Sequence, residues 1–133
     1  MPHAPDAPDD ATRADNDQPI FHVALPEDWI SAFDTGEYLM STRGVTLAQE
    51  GFIHCSTRDQ VEATANRFYA DLDTLVLLTV DPALVPSEIV WEPPAPGVDD
   101  LFPHVYGPLP VAAVTLAATW IRRPGTPWSL ATL

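Results

Sequence analysis

The chain has 133 residues, 46% of them apolar, and a single cysteine, which makes it the size of one self-sufficient domain without an internal disulfide. Nineteen acidic residues stand against six arginines and no lysine, for a formal net charge of −13. Affinity for nucleic-acid phosphates or anionic lipid surfaces comes from Lys and Arg, so both partner classes are excluded as the main business of the chain, and a small-molecule or protein partner is expected.

Residues 1–19, rich in Pro, Asp and Ala, hold five of the acids and almost nothing to bury, and they read as a disordered tail. They lack the basic start and apolar run of a secretory signal, and no apolar run approaches the roughly 18 residues of a membrane span. The expected location is the cytoplasm. Residues 20–24 (IFHVA) read as a first strand. Pro26 then opens a helix, with Glu27 and Asp28 in its first turn, an apolar side of Trp29, Ile30 and Phe33, and a stop at Gly36. Residues 38–40 form a brief extended piece, 46–50 a single helical turn closed by Gly51, and 51–55 (GFIHC) a second strand. Thr57 with Gln60 is a capping box for a helix to about residue 70, with Val61, Thr64, Ala65 and Phe68 as its inner face and Asn66 within reach of a pocket.

Residues 75–80 (LVLLTV) are continuously apolar, the pattern of a central strand buried on both faces. Residues 88–92 and 101–107 read as further strands around a Pro-rich surface loop, and 111–121 as the last long strand. Residues 122–133 read as a tail whose Trp128 docks either on the body or on a partner. Helices precede most strands, which argues for one α+β domain over 20–121 with two to three helices.

Side chains alternate across a strand. In GFIHCS this sets Ile53 and Cys55 on one face and Phe52, His54 and Ser56 on the other; if Ile53 faces the core, so does Cys55. Cys55 is then out of line with His54 as its base and reads as a core residue. In IFHVA, His22 opposes Phe21 and Val23; in FPHVYG, His104 and Tyr106 share the face opposite Val105. Each such histidine alone reads as half-buried and satisfied by the backbone. Three in one small domain, beside Tyr38, Ser56 and Tyr106, point to a pocket.

The run IFHV, Trp29, Gly36 with Tyr38, GFIHCS, VWE and FPHVYGPL, in this order over residues 19–120, strongly resembles the bacterial family called domain of unknown function 952 (DUF952). A more remote resemblance is to RNA 2′-phosphotransferases of the NAD-binding ADP-ribosyltransferase superfamily, through His22, Trp29 with Ile30, Gly36, and the Ile53-His54-Cys55-Ser56 strand. That resemblance implies a bent, split β-sheet and a cleft for NAD. It implies that His22 holds a ribose hydroxyl, that His54 and Ser56 line the cleft, and that Tyr38 stacks on nicotinamide. Glu92 or His104 takes the third-strand position, with Tyr106 at the far side. Transfer from NAD develops positive charge on a sugar, which a carboxylate such as Glu92 stabilises. The catalytic candidates are Glu92, His54 and His104. The basic residues that would seat a phosphorylated RNA are not evident, so RNA repair is not expected.

The expectation is therefore binding of NAD or a related nucleotide, extending to ADP-ribosyl or glycosidic transfer, with no metal. Two alternatives come from other classes. One is a non-catalytic small-molecule-binding or interaction module. The other is a metal-dependent hydrolase using His22, His54 and His104 as a His₃ site, although no HxH or HxxxH spacing pairs two of them on one element.

Overall fold

The computed structural model describes residues 18–133. The predicted disordered tail falls outside the described residues apart from Gln18 and Pro19. The elements run β1 (Ile20–Ala24), α1 (Pro26–Thr35), β2 (Glu37–Tyr38), β3 (Met40–Thr42), β4 (Val45–Thr46), α2 (Leu47–Glu50), β5 (Ile53–His54), α3 (Arg58–Phe68), β6 (Thr74–Val80), β7 (Ile89–Glu92), β8 (Phe102–Val105), β9 (Leu109–Pro110) and β10 (Val114–Ile121). This is an α+β domain of small antiparallel sheets, and no helix among the described residues is long and apolar enough to cross a membrane.

Two three-stranded sheets carry the architecture, ordered β1-β6-β10 and β5-β8-β7. Their backbones are bridged at one place among the described residues. Phe21 of β1 and Ser56, just after β5, exchange both backbone hydrogen bonds, at 2.8 and 2.7 Å. Pairing stops there, so the strands part on either side of a single bridge. Strand β6 is central to its sheet and buried on both faces as its apolar run requires. Val76, Leu78 and Val80 join a core with Ile20, Ala24, Ile53, Cys55 and Val105, whereas Leu75 and Leu77 join a second core with Phe21, Val23, Val61, Ala65, Trp120 and Trp128. One strand thus feeds two apolar layers, the alternation of a pleated sheet.

Local signals placed most boundaries. Gly36 ends α1 and Gly51 ends α2 in the left-handed region, at φ 83° and 98°, where only glycine sits without strain. Thr46 caps α2 through a reciprocal bond with Gln49, and Gln60 reaches back to the Thr57 backbone at the start of α3.

Three expectations are corrected. The inward side of α1 is Trp29 and Ala32, with Ile30 and Phe33 exposed, because the sheet meets the helix on its small residue. In α3 the inward stripe is Val61 and Ala65, with Tyr69 following; Phe68, one residue off that stripe, is 56% exposed. The last strand starts at Val114, after a 3₁₀ turn at Val111–Ala113. Of the two docking sites open to Trp128 of the 122–133 tail, the structure has the body: Trp128 is buried in the second core and Asn66 holds it there.

Candidate functional site

The wedge between β1 and β5 sets the geometry. Beyond the Phe21–Ser56 bridge, His22 turns its ring across the gap, and Nδ1 lies 2.6 Å from the His54 carbonyl. A carbonyl only accepts, so Nδ1 carries the proton. The other nitrogen, Nε2, is then an acceptor, and the Tyr38 hydroxyl donates to it at 2.9 Å. His22 is buried, and desolvation pushes its pKa down to about 4 against the pull of the His54 carbonyl, so the ring is neutral at pH 7. Tyr38 lies behind it, 2% exposed, with burial raising its phenol pKa.

On the open side of this brace lies a cleft of about 470 Å³, within the usual size range of small-molecule sites. Strands β1 and β3, the end of β5, helix α3 and the 94–102 loop enclose it. Its buried part carries His22, Ser41, Cys55, Ser56 and Tyr69. Its charged groups, Asp59, Arg67 and Asp100, are all exposed. Phe68, Val98 and Phe102 add apolar wall, which explains why Phe68 is left out of the core. Cys55 packs in the core with Ile53, and burial raises its thiol pKa, so a thiolate nucleophile is not supported.

A second group of side chains adjoins the cleft through His54. The β5–β8 register sets His54 opposite His104, their rings 5.1 Å apart and nearly perpendicular. His104 is 1% exposed and its Nδ1 donates to Glu92 Oε2 at 2.7 Å. The Tyr106 hydroxyl donates to the same oxygen. Strands β7 and β8 are paired antiparallel, which brings the end of β7 to the face that His104 and Tyr106 share. Phe52 stacks on the His104 ring at 4.1 Å and 14°. The two donated hydrogen bonds, from Tyr106 first and His104 second, hold the Glu92 carboxyl below its ordinary pKa, and Tyr106 is raised in return. His54 is lowered by partial burial first and by the neighbouring His104 second.

The predicted residues therefore fall into two connected groups. His22, His54 and Ser56 line the cleft. Glu92, His104 and Tyr106 cluster on the other side of His54 and do not line it. Tyr38 does not line it either, and its hydroxyl is committed to His22. Both His22 nitrogens are engaged, so a ribose hydroxyl reaches one only by displacing Tyr38 or the His54 carbonyl. Asn66 turns away to Trp128. Among the described residues no group of three His, Cys, Asp or Glu side chains could hold a metal ion, so the three-histidine hydrolase has no geometric support. The residues missed from sequence are Ser41, Thr42 and Tyr69 on the inner wall and Arg67 at the rim. Nothing local singles out Ser41; Arg67, on the exposed side of α3, was readable only as surface charge.

A family model described as a protein of unknown function, DUF952, matches residues 23–117. Two crystal structures of protein CC0527 from Caulobacter crescentus, one of them a double mutant, are 28% identical to the chain. Each superposes with a TM-score of 0.73 over 86% of this chain and 96% of that one. The solution structure of the same protein is 29% identical, with a TM-score of 0.65 over 80% and 91% of the two chains. No curated protein matches.

Proposed function

We propose that this chain, which belongs to the DUF952 family, binds NAD or a related nucleotide in the cleft at the split of the sheet. The fold reading that goes with this is a remote ADP-ribosyltransferase-like sheet. The observation that carries the proposal is the polarity gradient of the cleft, with an uncharged polar inner wall at His22, Ser41 and Ser56 and charges confined to the exposed rim. A nucleotide has the same gradient, with a neutral base and sugar at one end and phosphates at the other. Arg67 at the rim is the cation available to a phosphate.

In this reading His22 serves as the brace that holds the His54 strand at the cleft edge. His54 and Ser56 contact the sugar. Glu92, kept ionised by Tyr106 and His104, supplies negative charge on the far side of His54, where ADP-ribosyl or glycosidic transfer would develop positive charge on the sugar. Nucleotide entry to that side requires His54 or Phe52 to shift, since Glu92 does not line the cleft.

Thermal unfolding with NAD, ADP-ribose and AMP tests binding. A ligand at a hundred times its dissociation constant adds about 2.7 kcal/mol, an increase of several degrees for a domain of this size. No shift with any of the three overturns the proposal. Chemistry is read separately, as nicotinamide release. Glu92→Gln should keep NAD binding within threefold and lower release on the order of a hundredfold, the range of a lost charge-stabilising group. If the parent protein binds NAD and neither protein releases nicotinamide with acceptors supplied, the cleft is a binding module without chemistry.

A further inference from the structure

Among the described residues only two buried side-chain polar atoms lack any hydrogen-bond partner, Ser41 Oγ and His104 Nε2. Ser41 is the one that lines the cleft. Five hydroxyl side chains line it in all, and four of them are paired off. Thr42 Oγ1 bonds the Tyr69 hydroxyl at 3.2 Å, and Ser56 Oγ bonds Thr64 Oγ1 at 3.3 Å. Ser41 is fully buried on β3 and bonds to nothing. A buried hydroxyl without a partner costs free energy that Ala would not, so it calls for an explanation, and in the wall of a cleft a partner arriving from the cleft supplies one.

We infer that Ser41 is a ligand-binding residue, and that the inner end of the cleft takes an uncharged group bearing a hydroxyl or carboxamide. The inference rests on the nucleotide reading of the same cleft and names the end of the ligand that enters first. Charge excludes the other orientation. Every cleft residue that is buried is uncharged at neutral pH, His22 included, so a phosphate seated there would be an unpaired buried anion. A hydroxyl or amide needs only a donor or acceptor of the kind that Ser41 Oγ leaves free. His22 cannot compete for it, since both its nitrogens are engaged.

The test uses Ser41→Ala and Ser41→Cys in the full chain, with NAD, nicotinamide riboside, free nicotinamide, ribose and inorganic phosphate as probes. Ser41→Ala should weaken NAD and nicotinamide riboside about tenfold, the value of one hydrogen bond of good geometry. Any affinity for inorganic phosphate should stay unchanged. Its unfolding temperature should hold or rise, because a buried orphan has been removed. Ser41→Cys, with a weaker donor of similar size, should fall between. A merely structural serine gives the opposite pattern, with Ser41→Ala losing unfolding temperature at unchanged affinity, and that result overturns the inference while the nucleotide reading stands. Equal binding with unchanged stability overturns it too. If no nucleotide binds but nicotinamide or ribose does so in a Ser41-dependent way, the nucleotide reading falls and the Ser41 inference survives. If none of the probes binds, both fall.

Discussion

Trp128→Ala should destabilise the domain by about 3–5 kcal/mol, the range for truncating a fully buried Trp. Trp128 is 1% exposed and packs its ring 5.0 Å from that of Trp120. It is also clamped by hydrogen bonds. Its backbone N–H donates to Asn66 Oδ1 at 2.6 Å, its carbonyl accepts from Asn66 Nδ2 at 3.1 Å, and its indole N–H donates to the Tyr69 carbonyl at 2.9 Å. One side-chain amide thus does for Trp128 what a neighbouring strand would do, satisfying both backbone groups. Alanine would leave a cavity against Trp120 and remove one of the two donors to the Tyr69 carbonyl, the other being the Leu72 N–H. Trp128→Phe should cost less, since it keeps most of the packing and removes one hydrogen bond of about 1 kcal/mol. Urea unfolding measures both. The midpoint should drop for Trp128→Ala with the slope unchanged. A loss under 1 kcal/mol would mean that residues 122–133 do not belong to the folded domain. Tyr69 lines the cleft as well, so the same variant should weaken any cleft ligand.

That docking could not be read from the sequence, and the reason is physical. Alternation along a strand tells which residues share a face, because the pleat has period two wherever the strand lies. On that basis Ile53 was separable from His54, and His104 with Tyr106 from Val105, and the structure has those facings; Cys55, past the end of β5, joins the core with Ile53 yet also lines the cleft beside Ser56. Which faces meet is a different matter. Trp128 sits in a Pro- and Gly-rich stretch with no period to display, and its partner Asn66 lies on a helix 62 residues earlier. Tyr38 failed in the same way. On a strand of two residues no alternation exists to orient it, so nothing local distinguished a ring over a ligand from one behind His22. The Glu92–His104 contact needed the β7–β8 register, and the separation of that cluster from the cleft needed the position of His54 between the two. Ser41 was invisible because its distinguishing property is a missing partner, which only the folded surroundings define.

Between pH 6.5 and pH 4 the domain should lose about 3 kcal/mol of stability through His22 alone. The unfolded chain protonates this imidazole near its ordinary value of 6.5, whereas the folded chain resists until about 4. Across that window the unfolded state binds more protons, so acid favours it. The contribution is therefore complete above pH 6.5, declines as the pH falls, and is gone below pH 4. The cause is burial more than a broken bond. Protonation leaves the Nδ1–H bond to the His54 carbonyl in place, and at Nε2 it only obliges the Tyr38 hydroxyl to turn from donor to acceptor. What remains is a cation sealed from water and set beside His54, whose own pKa is depressed by burial and by His104. His54 adds acid sensitivity of the same sign, so the total slope does not isolate His22. The difference from His22→Gln does. Urea midpoints from pH 7.5 to 4.5 should fall more steeply for the parent protein than for His22→Gln, even though the variant starts lower for want of its brace. The ring protons of His22 in the NMR spectrum should not titrate above about pH 5. A His22 titration near 6.5 in the folded protein, or parallel slopes for the two proteins, would show that the ring is open to water and that the brace at the cleft edge does not exist.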